Sequence, residues 1–196
     1  MELDKGQYDQ PREIFWASGT SCLWRRKTLK EIGLLDEDFF AHQEEIDLSW
    51  RAWLMGWKIA SAPNGVIFHM GGATLSYQAW RKMYLNHRNS LITILKNMDG
   101  LELPGILFAR VILDHGIGVV EALGGRPGRL TAVLAAWRDF ILAIPRDWRK
   151  RRQIQRLRRV RGRELGHVIY PGSILLAYIR GVRKVAQLVA KPTTET

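Results

Sequence analysis

Residues 39–69 read FFAHQEEIDLSWRAWLMGWKIASAPNGVIFH, and the fold turns on how this stretch is read. It opens with three acids, Glu44, Glu45 and Asp47, and continues with Trp50, Trp53 and Trp57 at helical spacing. At ~100° per residue, a helix over 43–54 gathers Ile46, Trp50, Trp53 and Trp57 on one face, which is predicted to be the buried one. Glu44, Asp47 and Arg51 then share the opposite side, with Glu45 between the two, and Gly56 ends the helix. Residues 57–60 and 65–68 read as short strands around the turn Ala62-Pro63-Asn64-Gly65, with His69 closing the second.

Upstream, residues 1–14 are polar and broken by Gly6 and Pro11, an extended lead-in. The apolar run 14–24, interrupted by Ser18-Gly19-Thr20-Ser21, reads as a strand in which Gly19 permits a close backbone approach. A short helix over 26–32 follows, with Gly33 as its C-cap. Downstream, residues 77–97 return to helical period around the polar knot Asn86-His87-Arg88-Asn89. Gly100 and Pro104 mark a boundary, and beyond it 106–123, 130–144 and 174–189 are apolar and helical in period.

The 196 residues carry a net charge of +11 and one cysteine, Cys22. The charge predicts attraction to an anionic partner. A single cysteine excludes an internal disulfide framework and fits a reducing compartment. The N-terminus lacks the basic-then-apolar run of a signal peptide, and no apolar run reaches the ~18 residues of a membrane span. Residues 146–163, RDWRKRRQIQRLRRVRGR, hold ten arginines and lysines against one acid. Only Trp148 offers a stacking surface within that run, which favours a membrane surface over nucleic acid. Apolar flanks on both sides suit a helix lying in an anionic interface, with Arg149, Lys150, Arg151, Arg152 and Arg156 facing the lipid.

Two readings of the acids stand side by side. They stabilise a helix N-terminus by ~0.3–1 kcal/mol each through the macrodipole, or one of them is a general base whose pKa is raised by its neighbour. His69 is likewise either a hydrogen-bonded structural residue or a ligand to a divalent cation. No HExxH motif, P-loop or GxGxxG is present.

The order SGTSCLWRRKTLKEIGLLDEDFFAHQEEIDLSWRAWLMGWKIASAPNGVIFHMGG resembles the second half of a family 2 glycosyltransferase of the GT-A fold, most closely the rhamnosyltransferase-like branch. Arg26 through Gly33 with Asp36, Glu37 and Phe39-Phe40 match one family segment. Glu44-Glu45-Ile46-Asp47-Leu48 with Arg51 match the acidic helix, and Gly56-Trp57, Ile59, Pro63 and His69 match the segment after it. Arg88-Asn89 resembles a further "R-N" helix. The resemblance implies that Glu45 is the base for the acceptor hydroxyl, that Glu44, Asp47, Arg51 and Trp57 line the acceptor pocket, and that His69 helps hold Mg or Mn. It implies an α/β partial GT-A fold, a short mixed sheet with packed helices followed by a helical C-terminal tail. Residues 1–100 would form the acceptor-side half and 101–196 a basic, membrane-associating region.

The activity implied is inverting transfer of a sugar from a nucleotide-sugar to a lipid-linked or polysaccharide acceptor. No Asp-x-Asp for the donor lies upstream, so the nucleotide-binding half is expected to be missing and the chain to be a truncated form. The expected place is the cytoplasmic face of a membrane, peripherally bound to an anionic surface and without a nucleic-acid partner. A non-catalytic membrane-surface module derived from the same fold is the alternative, and a basic nucleic-acid-binding protein a more distant one.

Overall fold

The computed structural model describes residues 3, 5–68, 80–170, 172, 174–182 and 187. Six α-helices follow in order: α1 (Arg26–Ile32), α2 (Glu44–Leu54), α3 (Trp80–Asn97), α4 (Leu103–Leu123), α5 (Pro127–Leu157) and α6 (Ile174–Ile179). Single 3₁₀ turns, Glu37–Phe39 and Gly162–Leu165, lie on either side of the α2–α5 region in the chain. α1 and α2 end where their glycines predict, since Gly33 and Gly56 take φ of 83° and 84°, a region closed to most side chains. α5 begins on Pro127, whose missing N–H costs nothing in a first turn, and continues through Pro145.

The expected mixed sheet is not there. Among the described residues the fold is all-helical, and the α/β GT-A architecture is overturned. The two apolar runs meet only in one antiparallel bridge, Glu13 with Ala60, closed by Ile14 N–H to Ile59 O and Ser61 N–H to Arg12 O, both 2.9 Å. A two-segment contact of this length is too short to hold as a sheet in water. Side chains replace the missing ladder: the Trp53 indole N–H lies 3.3 Å from Ile14 O and 3.0 Å from Phe15 O. The β-rich composition therefore produces extended segments pinned by α2. Apolar side chains that a sheet would cover are left outward, with Leu23 and Phe68 fully exposed.

Two apolar cores result. The first surrounds α2 and gathers Ile32, Leu48, Trp53, Leu54, Ile59 and Ile154. The second lies between α3, α4 and α5 and gathers Phe39, Leu91, Leu95, Leu103, Val133 and Phe140. The side of α2 predicted to be polar and outward is buried as well, because Asp47 and Arg51 are enclosed. Asp47 accepts from Arg51 Nε at 3.0 Å, Lys96 Nζ at 2.9 Å and Asn97 Nδ2 at 2.8 Å. Lys96 Nζ also reaches Asp36 at 2.7 Å, and Lys150 Nζ holds the other Asp36 oxygen at 2.6 Å. Burial alone would raise the Asp36 carboxyl, but the Lys96 and Lys150 charges and hydrogen bonds outweigh it and hold it far below the usual carboxylate range. This ionic seam ties α2 and the loop before it to α3 and α5.

Candidate functional site

The acids open α2 from an unusual loop. Phe40, His42 and Gln43 all have positive φ, of 63°, 68° and 72°, although none is glycine. Such residues cost about 1–3 kcal/mol each and persist where their surroundings over-determine them. Here α3 supplies the constraint through the polar knot. Asn89 Nδ2 donates toward Phe39 O at 3.0 Å and toward Ala41 O and His42 O at 2.8 Å. Arg88 Nε donates to Asn89 Oδ1 at 2.9 Å, which turns the amide hydrogens toward the loop. Arg88 Nη2 takes Asp38 O at 2.9 Å, and Phe39 is fully buried beneath.

The strained loop delivers Glu44 and Glu45 side by side. One oxygen of each, Oε2, and His42 Nε2 are shut away from solvent with no hydrogen-bond partner. Burial first, then the neighbouring Glu45 carboxylate, raises Glu44 above the usual glutamate range, against the lowering by its own backbone N–H. His42 is lowered, by burial and then by the Lys82 charge, with Glu45 opposing. The turn 18–21 faces the pair, since a Cβ at Gly19 would sit 4.0 Å from Glu45 Oε1. The arrangement can hold a proton between two carboxyl groups and pass it to or from a hydroxyl brought alongside.

Two clefts flank this region, and Glu44 and Glu45 line neither. One of about 800 Å³ is bordered by Trp16, Ser18, Trp24, Trp57 and Lys58. The other, of about 650 Å³, opens over Glu31, Asp36, Asp38 and Lys150. Of the residues expected around an acceptor, Glu44 and Glu45 come together at the loop. Asp47 is enclosed in the ionic seam, and Arg51 donates to the backbone oxygens of Ile32 and Leu34. Trp57 borders the larger cleft and donates its indole N–H to Glu31 at 3.0 Å. His69 lies outside the described residues. Among those described, no three His, Cys, Asp or Glu side chains converge on a point that could hold a metal ion.

The basic run divides by helical spacing. Arg149, Arg152 and Arg156 are exposed on the outer side of α5. Lys150 turns inward to Asp36 and Asp38, and buried Arg151 donates to Leu95 O and Met98 O at 2.7 Å each, capping the end of α3. The Arg88-Asn89 pair stands out in the sequence, whereas His42 and the positive-φ backbone do not, because residue types such as Phe and Gln give no signal for it.

With this geometry in place, comparison with known proteins gives one kind of relative. That relative is a rhamnosyltransferase. The chain is 25% identical over 89 residues to the N-acetylglucosaminyl-diphospho-decaprenol L-rhamnosyltransferase of Mycobacterium tuberculosis, in strains CDC 1551 and H37Rv alike. The similarity covers 45% of this chain and 29% of the relative. The chain is thus similar, distantly and over part of its length, to a glycosyltransferase, and it spans under a third of that curated relative. No family model matches, and no solved structure matches.

Proposed function

We propose that this chain carries the acceptor end of a glycosyl transfer reaction, with Glu45 as the general base. In the step proposed, a Glu45 oxygen takes the acceptor O–H proton as the acceptor oxygen bonds to the anomeric carbon of the donor sugar. The bond from that carbon to the leaving nucleotide diphosphate breaks, and its electron pair leaves with the diphosphate. Attack opposite the leaving group inverts the anomeric centre. Glu44, the carboxyl group raised by burial and by its neighbour, keeps a proton close to Glu45 and orients it.

The observation that carries the reading is the pair of adjacent carboxyl groups, each with a buried, unpartnered oxygen, at the start of α2 after a strained loop that Arg88 and Asn89 hold in place. A carboxylate needed only to cap a helix requires no such scaffold. The partial similarity to a transferase named for a lipid-linked acceptor supports the same class. An acceptor of that kind, N-acetylglucosamine on a polyprenyl diphosphate, would bring the reaction to a membrane face. The donor end of the reaction is assigned to no residue here.

The test is a transfer assay with nucleotide-linked L-rhamnose and N-acetylglucosaminyl-diphospho-polyprenol, with the product's anomeric configuration read by NMR. A product of inverted configuration supports the proposal. A product of retained configuration removes the single inverting displacement and the base role of Glu45, and no product under conditions where the mycobacterial relative is active removes the proposal in favour of a non-catalytic role.

A further inference from the structure

α4 is built inside out. Every exposed residue on it is proline, glycine, alanine, a large aliphatic or phenylalanine. Phe108, Val120 and Leu123 are 68%, 69% and 85% exposed, and Ile106, Ile112 and Ile117 share the same outward half. Its ionisable side chains face the other way, toward α3 and α5. Arg110 Nη1 reaches Ser90 at 2.6 Å, and its guanidinium holds Asp114. Asp114 also accepts from the Trp137 indole at 3.2 Å and lies 3.6 Å from His87 Nδ1. At the far end Glu121 pairs with Arg126 and Arg129. A helix at a water-facing surface shows the reverse pattern, with apolar residues inward and charge outward.

α5, packed on α4 through Leu130 and Trp137, continues the theme along one stripe. Residues 134, 138, 141, 145, 149, 152 and 156 recur at threes and fours on its exposed side. The first part of that stripe is mainly apolar, with Leu134, Ile141 and the adjacent Leu142 exposed. The last part is Arg149, Arg152 and Arg156, which make no ion pair among the described residues. No helix of the described residues is long and apolar enough to cross a membrane.

We infer that the α4–α5 hairpin docks flat on an anionic lipid bilayer, with the outward half of α4 sunk into the acyl boundary and the α5 arginines at the headgroups. The choice of lipid over a protein partner rests on charge. The chain carries +11 overall, and the exposed arginines of α5, unpaired among the described residues, continue its exposed apolar stripe, which sets basic charge beside apolar surface as binding to anionic lipid needs. The inference rests on the transferase reading only for why a membrane lies nearby. It narrows the membrane-associating region expected over 101–196 to the α4–α5 hairpin, with α4 as the inserted element.

The experiment uses the full chain and vesicles of phosphatidylcholine with or without phosphatidylglycerol, in a flotation assay. Wild-type chain should float with the anionic vesicles and partition roughly tenfold less after Ile112→Glu with Val120→Glu, two exposed positions. Arg149→Gln with Arg152→Gln and Arg156→Gln should weaken binding and flatten its salt dependence. Glu45→Gln should float like wild type, which separates membrane docking from catalysis. In a second measurement, a fluorophore on Ile112→Cys in a Cys22→Ser background should be quenched by lipids brominated in the acyl chain, while the same label on Lys30→Cys should not. An unquenched label at 112, unchanged flotation of a folded double glutamate variant, or self-association that buries α4 without vesicle binding would overturn the proposal.

Discussion

Asn89 and His42 lie 47 residues apart in sequence, yet the Asn89 side-chain amide donates to the His42 backbone oxygen at 2.8 Å. The contact links the middle of α3 to a residue two positions before the acid pair, within a loop whose backbone is otherwise unfavourable. Asn89→Ala leaves the Ala41 and His42 carbonyls short of a donor, while Phe39 O keeps the Ala41 N–H, and each unsatisfied buried group costs about 1–3 kcal/mol. The expected outcome is a loss of roughly 2–4 kcal/mol in chemical denaturation. Asn89→Asp, which turns an acceptor toward those carbonyls, should be worse.

Lys96 is the centre of the buried seam, between Asp36 and Asp47. Lys96→Met takes one cation from each of Asp36 and Asp47, which keep Lys150 and Arg51, so it should destabilise by about 3 kcal/mol, the low end of the range for breaking a buried pair. Adding Asp47→Asn should recover part of that loss, because a buried amide needs less charge compensation than a carboxylate. A denaturation cycle over the two single variants and the double variant reads the coupling.

The seam also sets an acid limit. The folded-state pKa of Asp36 lies far below its ordinary value of 3.8, so its contribution is present above that value and lost as pH falls through the folded one. Denaturation midpoints should therefore fall steeply below about pH 4. Replacing Asp36 by Asn should lower stability at neutral pH and flatten that part of the profile.

Glu44 gives the opposite sign. Its folded-state pKa is raised above 4.5, by burial and then by Glu45, so ionising it opposes folding at neutral pH and not at pH values below 4.5. Glu44→Gln should stabilise the chain at pH 7–8, with the gain vanishing as pH falls below about 4.5. A gain that persists unchanged in acid would locate the strain elsewhere.

Within the arginine run, position and not charge should decide the effect. Arg151→Ala uncaps the end of α3 and should cost about 1.5–3 kcal/mol, the range for hydrogen bonds to a charged group. Arg149→Ala and Arg152→Ala, both exposed, should stay within about 0.5 kcal/mol by thermal melts.

Much of the helical frame is legible in the chain. Gly33 and Gly56 stop α1 and α2 where their positive φ is needed, and the apolar periods of α3 and α4 are visible by eye. The strands were misread because alternating and apolar runs report β-propensity but not a partner: Ile14 and Phe15 give their carbonyls to the Trp53 indole, not to a sheet. The polar side of α2 was read as outward because its partners, Lys96 and Asn97, are 49 and 50 residues further along. For the candidate site, the acids and the Arg88-Asn89 knot could be picked out from residue type. That one holds the loop carrying the other could not, because the connection runs through backbone carbonyls. The inverted polarity of α4 was hidden for a related reason, since periodicity locates a face without saying which side it meets.

The most direct measurement is sugar transfer by Glu45→Gln beside Glu44→Gln, with both variants shown to keep the wild-type helical content. Glutamine keeps the shape and cannot take the acceptor proton. With Glu45 as the base, its variant should lose about 10²–10⁴-fold in kcat, while Glu44→Gln should lose far less and shift the pH profile. Wild-type turnover by Glu45→Gln would contradict the proposed role of this loop.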